Sequence, residues 1–258
     1  MSTSNTEFWD RVEAMSAEHP LHSHRYFDHL LGERGNLAAV KVFSEQFYLF
    51  CVTFHRCLGA IVSNTSDEDV IAMIADNLYD EMGRGSLRKS HLEILKRFSR
   101  SIGYTEEEIR KVKPLPCTQE LNDLILGICK ADFYLGIGAA GLGAEFAGEK
   151  FFHAVYESFR NKPFLHNADV TVYKIHAEDD TRHRQVMKDC LSKHLWNEDA
   201  RRRMLFGVEY SMTLFHNFWE GVGEASGFFA AERKPVPRLP AFTPAGIPAG
   251  APPGVRAA

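Results

Sequence analysis

The chain has 258 residues, 45% of them hydrophobic and 25% charged, with a formal net charge of −4 at pH 7. This length can bury the core of one main domain. The slightly acidic balance excludes a basic surface for nucleic acid or anionic membranes, so we expect neither partner. The N-terminus lacks the basic start and apolar stretch of a signal peptide, no run of eighteen apolar residues follows, and we predict a cytoplasmic protein.

Helical periodicity recurs along nearly the whole chain, and we find no convincing strand or hairpin signal. Apolar residues at helical steps predict one long buried helix over 36–61. We predict further helices over 7–17, 22–31, 67–82, 86–103, 105–112, 118–160 with or without a break, 167–195 and 197–229. The sequence therefore predicts an all-α domain over residues 1–232. Residues 233–258 are rich in proline and glycine, which predicts a flexible tail.

Two ligand-type residues flank a predicted break between helices. Glu81 and His91 lie on either side of Gly83-Arg84-Gly85. Glu81 ends a segment whose apolar residues face the core, so we expect its carboxylate to point into the domain. Without further context, a glutamate at the surface end of the helix is an equally good interpretation.

Residues 136–143 are small and spell the pattern G-x-G-x-x-G. As a dinucleotide-binding fingerprint, this pattern needs a preceding strand and a surrounding βαβ unit, which the chain lacks. We interpret the stretch as a place where two helices approach closely. Glu145 follows it among phenylalanines, where an acid must be paired, protonated or bound to metal. Glu149 and His153 lie one and two helical turns further on, as alternates or as neighbours of the ligands.

His176, Asp180 and His183 share one helical face. At about 100° per residue, the i+4 and i+7 positions return to within about 40° of the first. Carboxylate and imidazole ligands without cysteine suit iron or manganese better than structural zinc. Taken alone, the stretch is equally compatible with a solvated polar face. The chain has no Glu-x-x-His pair, the common ligand motif of ferritin-like bundles, so a ferritin-like bundle is disfavoured.

With these residues in this order, the chain resembles the haem-oxygenase-like di-iron oxidases and oxygenases over about residues 20–225. The resemblance implies a bundle of about seven to nine helices that binds two iron ions. It implies reaction of Fe(II) with O2, an external reductant or electron-donor protein, and a small-molecule substrate. The metal ligands implied by the resemblance are Glu81, His91, Glu145, His176, Asp180 and His183. Of these, Glu81 and Asp180 are also the catalytic residues that we expect.

Details within this family favour N-oxygenation of an amine. The interval of ten residues between Glu81 and His91 is similar to that in the family's N-oxygenases. Family members that make para-aminobenzoate have a shorter interval and a lysine where this chain has Val155, although Tyr26 matches their tyrosine. By spacing, His55 occupies the place of a further carboxylate ligand in the N-oxygenases. His55, Glu149 and Tyr26 are therefore candidates for an additional ligand or for a neighbour of the ligands, although His55 is better explained as a hydrogen-bonded core histidine of an aromatic helix.

Other functions stay open from the sequence. The same di-iron site could cleave C–C bonds or desaturate an amino or fatty acid, and the fold could also serve a metal-independent hydrolase or binding protein. Several aromatic residues would help to keep the pocket dry, although each of them is better explained as an ordinary core residue; they are Phe47, Tyr48, Phe54, Phe133 and Tyr134. The substrate, the reductant and the oligomeric state, including a homodimer, are left open.

Overall fold

The computed structural model describes the backbone of residues 3–229 and the side chains of residues 5–144, 148, 151–176 and 185–229. Within the described backbone there are 12 helices, ten of them with seven or more residues, and no strand. The predicted all-α class is therefore confirmed. The predicted tail over 233–258 lies outside the described residues.

The helices follow one another with short connections. They are α1 (Thr3–Glu18), α2 (Arg25–Leu31), α3 (Leu37–Ser63), α4 (Glu68–Glu81), α5 (His91–Ser101), α6 (Glu106–Lys111), α7 (Pro116–Ala131), α8 (Phe133–Gly136), a π-helical segment (Ile137–Gly143), α9 (Ala144–Phe159), α10 (Thr171–Leu191) and α11 (Glu198–Ala225). Short 3₁₀ turns over Pro20–Ser23, Leu87–Lys89, Pro163–Leu165 and Ser192–His194 precede or follow several of them.

Local capping explains where the helices begin. The side chains of Asn36, Asp67 and Ser90 accept hydrogen bonds from backbone N–H groups in the first turns of α3, α4 and α5. These bonds satisfy donors that have no partner inside the helix. The predicted segment 118–160 is divided because Asp132 has extended backbone angles (φ −160°, ψ 142°) and caps α8 through Leu135 N–H.

Helix α3 lies at the centre of the domain and contributes a row of buried residues that includes Phe43, Phe47 and Phe50. By length and composition alone, α3 could also cross a membrane, but 44% of its most apolar window is buried inside the protein. Core helices of globular proteins can meet the same criterion, so a single helix of this kind is weak evidence for a membrane span. Helix α3 is the only helix in the described part of the chain that meets that criterion.

The glycine-rich pattern at 136–141 packs against α11. A Cβ atom at Gly138 would lie 2.2 Å from the carbonyl oxygen of Met204, and one at Gly207 would lie 2.4 Å from that of Leu135. Contacts this short are possible only without side chains, so both helices need glycine where they cross. The structure supports helix packing, and not dinucleotide binding, as the role of this pattern.

Candidate metal centre

A tight turn after α4 brings Glu81 and His91 together. Gly83, Arg84 and Gly85 have positive φ angles of 77°, 50° and 85°, a conformation that glycine adopts without steric cost. A Cβ atom at Gly83 would lie 2.3 Å from a backbone carbonyl oxygen. Glycine at this position therefore allows the last residue of α4 to meet the first residue of α5.

Three of the six predicted ligands form a compact group. The candidate ligand atoms of Glu81, His91 and His176 all lie within 4.8 Å of one another. Glu81 is buried and the two histidines are half-buried, and the two imidazole rings have centroids 4.6 Å apart. One carboxylate and two imidazoles that converge from α4, α5 and α10 suit an iron ion.

The carboxylate of Glu81 is held by two histidines. Nδ1 of His91 lies 3.1 Å from Glu81 Oε2, and Nε2 of His55 lies 3.3 Å from the same oxygen. Burial raises the pKa of the Glu81 carboxyl, but hydrogen bonds from His55 and His91 outweigh it and hold the pKa well below its usual range. The carboxylate is therefore ionised, as a metal ligand must be.

The ring of His176 is fixed from two sides. Its Nδ1 lies 2.8 Å from the carbonyl oxygen of Val172 one turn earlier in α10. A nitrogen that faces a carbonyl oxygen carries the proton, which leaves Nε2 with a lone pair for a metal ion. The ring of Phe152 packs against the imidazole with centroids 4.6 Å apart. Both contacts orient the ring, and Phe152 also shields it from water.

The other predicted ligands fall partly outside the described residues. Asp180 and His183 lie on α10, the same continuous helix as His176, and Glu145 and Glu149 lie on α9. The side chains of these four residues are outside the described part of the structure. Their assignment as ligands stays a prediction.

A further prediction concerns Tyr26, a candidate for an additional ligand or for a neighbour of the ligands. Tyr26 is fully buried and stacks on Trp219 with ring centroids 5.3 Å apart and an interplanar angle of 10°. Burial raises the pKa of its phenol well above the usual range. Tyr26 contacts the wall of the site through Trp219, which lines a cavity beside the three ligands.

The prediction that Phe133 and Tyr134 enclose the pocket was wrong. Both line a separate polar depression, where Tyr134 Oη lies 3.3 Å from Nδ1 of His194. The extended backbone at Asp132 starts a new helix there, and its first turn places Phe133 and Tyr134 beside His194. Tyr48 packs against the core without lining the cavity, whereas Phe47 and Phe54 do line it.

The cavity beside the three ligands has a volume of about 200 Å³. Sequence periodicity did not single out Cys51, Leu95 or Val172, which line it next to Glu81 and His176. Burial raises the pKa of the Cys51 thiol, and the neighbouring Glu81 adds to the shift. A half-buried, protonated thiol beside the carboxylate has no signature in a single sequence.

Similar folds occur among solved structures. A CADD-like protein of unknown function from Nostoc punctiforme superposes with a TM-score of 0.74 at 12% identity, covering 87% of this chain and 99% of that one. A domain with a haem-oxygenase-like fold from Shewanella denitrificans gives a TM-score of 0.66 at 16% identity, covering 87% and 94%. The fold thus defines an all-helical protein of the haem-oxygenase-like class.

Residues 41–216 match the family described as iron-containing redox enzyme, and the chain belongs to that family. The protein is therefore an oxidoreductase that uses iron. Two curated relatives are named 4-aminobenzoate synthase. The one from Chlamydia trachomatis is 24% identical over 68% of this chain and 75% of its own length. The one from Chlamydia muridarum is 23% identical over 81% of this chain and 87% of its own length.

Proposed function

We propose that this protein is a di-iron oxygenase that uses O2 and an external reductant to oxidise the nitrogen of a small amine to a hydroxylamine or nitro group. The observation that carries the proposal is the convergence of Glu81, His91 and His176 at the wall of an apolar cavity. Membership of the iron-containing redox family supports the metal. Bound iron would supply the activation of O2.

The proposal of a second iron ion rests on the sequence pattern. Helices α9 and α10 carry the remaining ligands that the resemblance implies, Glu145, Asp180 and His183. Asp180 and His183 follow His176 by one and two turns of the same helix. Six ligands of carboxylate and imidazole type belong to the same ligand classes that helical di-iron proteins use.

The described side chains have distinct tasks in this proposal. Glu81 offers its ionised carboxylate, and His91 and His176 offer imidazole nitrogens. His55 lies against the carboxylate from α3 and fixes its orientation, as residues behind the ligands of metal sites generally do. The rings of Phe47, Phe54 and Phe152 exclude water from the reacting side of the site.

An amine substrate is supported by the spacing and by the relatives. The two Chlamydia proteins are named for an amine product, 4-aminobenzoate. This chain carries Val155 where the resemblance implies a lysine for that activity, and its ten-residue interval is similar to that of N-oxygenases. We therefore propose an amine as the substrate rather than 4-aminobenzoate as the product.

The test is anaerobic loading with Fe(II), addition of O2 and a reductant, and mass spectrometry of a panel of amines and carboxylic acids. We expect amine products that are 16 mass units heavier for a hydroxylamine or 30 mass units heavier for a nitro compound, with oxygen consumption that requires iron. Products from carboxylic acids that have lost carbon or two hydrogens would instead support C–C cleavage or desaturation. An absence of iron-dependent oxygen consumption with every compound would contradict both activities.

A further inference from the structure

The cavity beside the candidate metal centre has a continuous aromatic wall. From His176 the ring centroids follow one another at 4.6 Å to Phe152, 5.3 Å to Phe151 and 4.8 Å to Phe27. Trp219 packs on Phe151 at 5.1 Å and also lines the cavity. The space next to the metal ligands is therefore bounded by flat apolar faces, which favour the binding of a flat apolar molecule, called the guest below.

The volume of the cavity limits the size of that guest. An engineered protein cavity of roughly 150 Å³ lined by apolar side chains binds benzene. The present cavity, at about 200 Å³, has room for one benzene-sized ring and a substituent of one or two heavy atoms. Two fused rings would exceed this volume, so the second ring would have to displace the wall, which a packed interior resists, or stay in water.

The charge of the wall limits the chemistry of the guest. Among the described residues that line the cavity, Glu81 is the one acid, and there is no lysine or arginine. At the aromatic end of the cavity, away from the ligand group and its iron, a carboxylate would be desolvated without a cationic partner among the described residues. The polar groups that remain are His91 and His176 at one side, together with His22 and Cys51.

We propose that the substrate is an uncharged, single-ring amine whose ring lies between Phe152 and Trp219 and whose nitrogen faces the ligand group. This inference rests on the proposed function and names the substrate class of that same site. The size limit comes from the cavity volume, and the exclusion of a carboxylate comes from the residues of its wall.

The experiment is titration calorimetry on the full-length, iron-loaded protein under nitrogen, where no turnover occurs. Aniline is the probe of matching size and charge, 1-naphthylamine adds a second ring, and 4-aminobenzoate adds a carboxylate on the side of the ring opposite the amine. We expect aniline to bind at least tenfold more tightly than either of the others. Binding of 4-aminobenzoate or 1-naphthylamine as tight as that of aniline would overturn the proposal.

Two variants test whether binding occurs in this cavity. Ala154 lines it, so Ala154→Leu should weaken aniline binding at least tenfold, whereas Ala75→Leu at an exposed position of α4 should leave it unchanged. Phe215 also lines the cavity, and Phe215→Leu should strengthen the binding of 1-naphthylamine. Equal affinity for aniline in wild type and Ala154→Leu would overturn the assignment, and circular dichroism confirms that each variant is folded.

Failure of this inference is distinguishable from failure of the proposed function. Calorimetry without O2 measures occupancy alone, whereas oxygen consumption measures the chemistry. Tight aniline binding without iron-dependent oxidation of amines would support the substrate class and contradict the activity. Oxidation of a carboxylated or two-ring amine, with no binding of aniline, would support the activity and overturn the substrate class.

Discussion

Nε2 of His55 lies 3.3 Å from Oε2 of Glu81, the same carboxylate oxygen that Nδ1 of His91 approaches to 3.1 Å. One oxygen atom therefore joins three helices, because His55 is on α3, Glu81 ends α4 and His91 begins α5. The side chains of all three are largely buried, with 11 to 13% of each exposed. The contact with His55 positions Glu81 before any metal ion arrives.

Removing His55 should weaken iron binding without abolishing it. In His55→Leu the carboxylate of Glu81 loses one of its two imidazole partners but keeps its place at the end of α4. Loss of a residue that supports a ligand typically lowers metal affinity by about 10- to 100-fold. Anaerobic titration with Fe(II) measures the affinity, and His153→Leu is the control because His153 is exposed on α9. An unchanged affinity in His55→Leu would contradict the positioning role.

The turn after α4 should not tolerate a side chain. Gly83 has a φ angle of 77°, and a Cβ atom there would clash with Ser86 O and Ser90 N. We expect Gly83→Ala to lower the free energy of unfolding by at least about 1–2 kcal/mol and to weaken iron binding. Gly59→Ala on α3, where no atom lies within 4 Å of the new Cβ, should be neutral or stabilising by up to about 1 kcal/mol. Urea denaturation measures the free energy of unfolding of both variants. Equal values for Gly83→Ala and Gly59→Ala would contradict the backbone strain expected at position 83.

The contact between the π-helical segment and α11 should depend on glycine. Gly138→Ala places a Cβ 2.2 Å from the carbonyl oxygen of Met204, and overpacking of this kind costs about 1–3 kcal/mol. Gly127→Ala on α7 meets no atom within 4 Å and is the matched control. Thermal unfolding should show a lower melting temperature for Gly138→Ala alone. An unaltered melting temperature in Gly138→Ala would contradict the requirement for glycine where the π-helical segment meets α11.

Stability should fall in mildly acidic solution because of His19. Burial, followed by the neighbouring His216 and His22, lowers the pKa of His19 from 6.5 to about 4. Its Nδ1 accepts a hydrogen bond from Leu21 N–H, which requires a neutral ring. The unfolded chain therefore binds a proton between pH 6.5 and 4 that the folded chain does not, so the free energy of unfolding falls as the pH decreases through this window.

The variant His19→Asn tests that assignment. Asparagine keeps a side-chain acceptor for the capping bond but does not titrate. The pH dependence between 6.5 and 4 should become shallower in His19→Asn than in wild type, as measured by urea denaturation at a series of pH values. Identical pH dependence in both proteins would assign the effect to other groups, such as His216, whose pKa burial also lowers.

The sequence was sufficient to predict the helical class because that information is local. The periodicity over 36–61 predicted α3, which spans Leu37–Ser63, and the glycines at 83 and 85 marked the turn that joins Glu81 to His91. Contacts between distant residues were harder to predict. His55 and Glu81 are 26 positions apart, and spacing alone left His55 open as a ligand or a neighbour of the ligands.

The shape of the cavity could not be predicted from the sequence for a similar reason. Phe54 lines the cavity, whereas Phe133 packs near His194 in a separate depression. Both phenylalanines lie in apolar helical segments. Periodicity predicts the buried face of a helix, but it does not predict which of the buried residues line a cavity.

The most direct test of the metal centre is the iron content of the purified protein after anaerobic loading, compared between wild type, His176→Ala and the control His153→Ala. We predict about two iron ions per chain in wild type and in the control, as in helical di-iron proteins, and the loss of at least one in His176→Ala. An unchanged iron content in His176→Ala would contradict the assignment of Glu81, His91 and His176 as the ligand group.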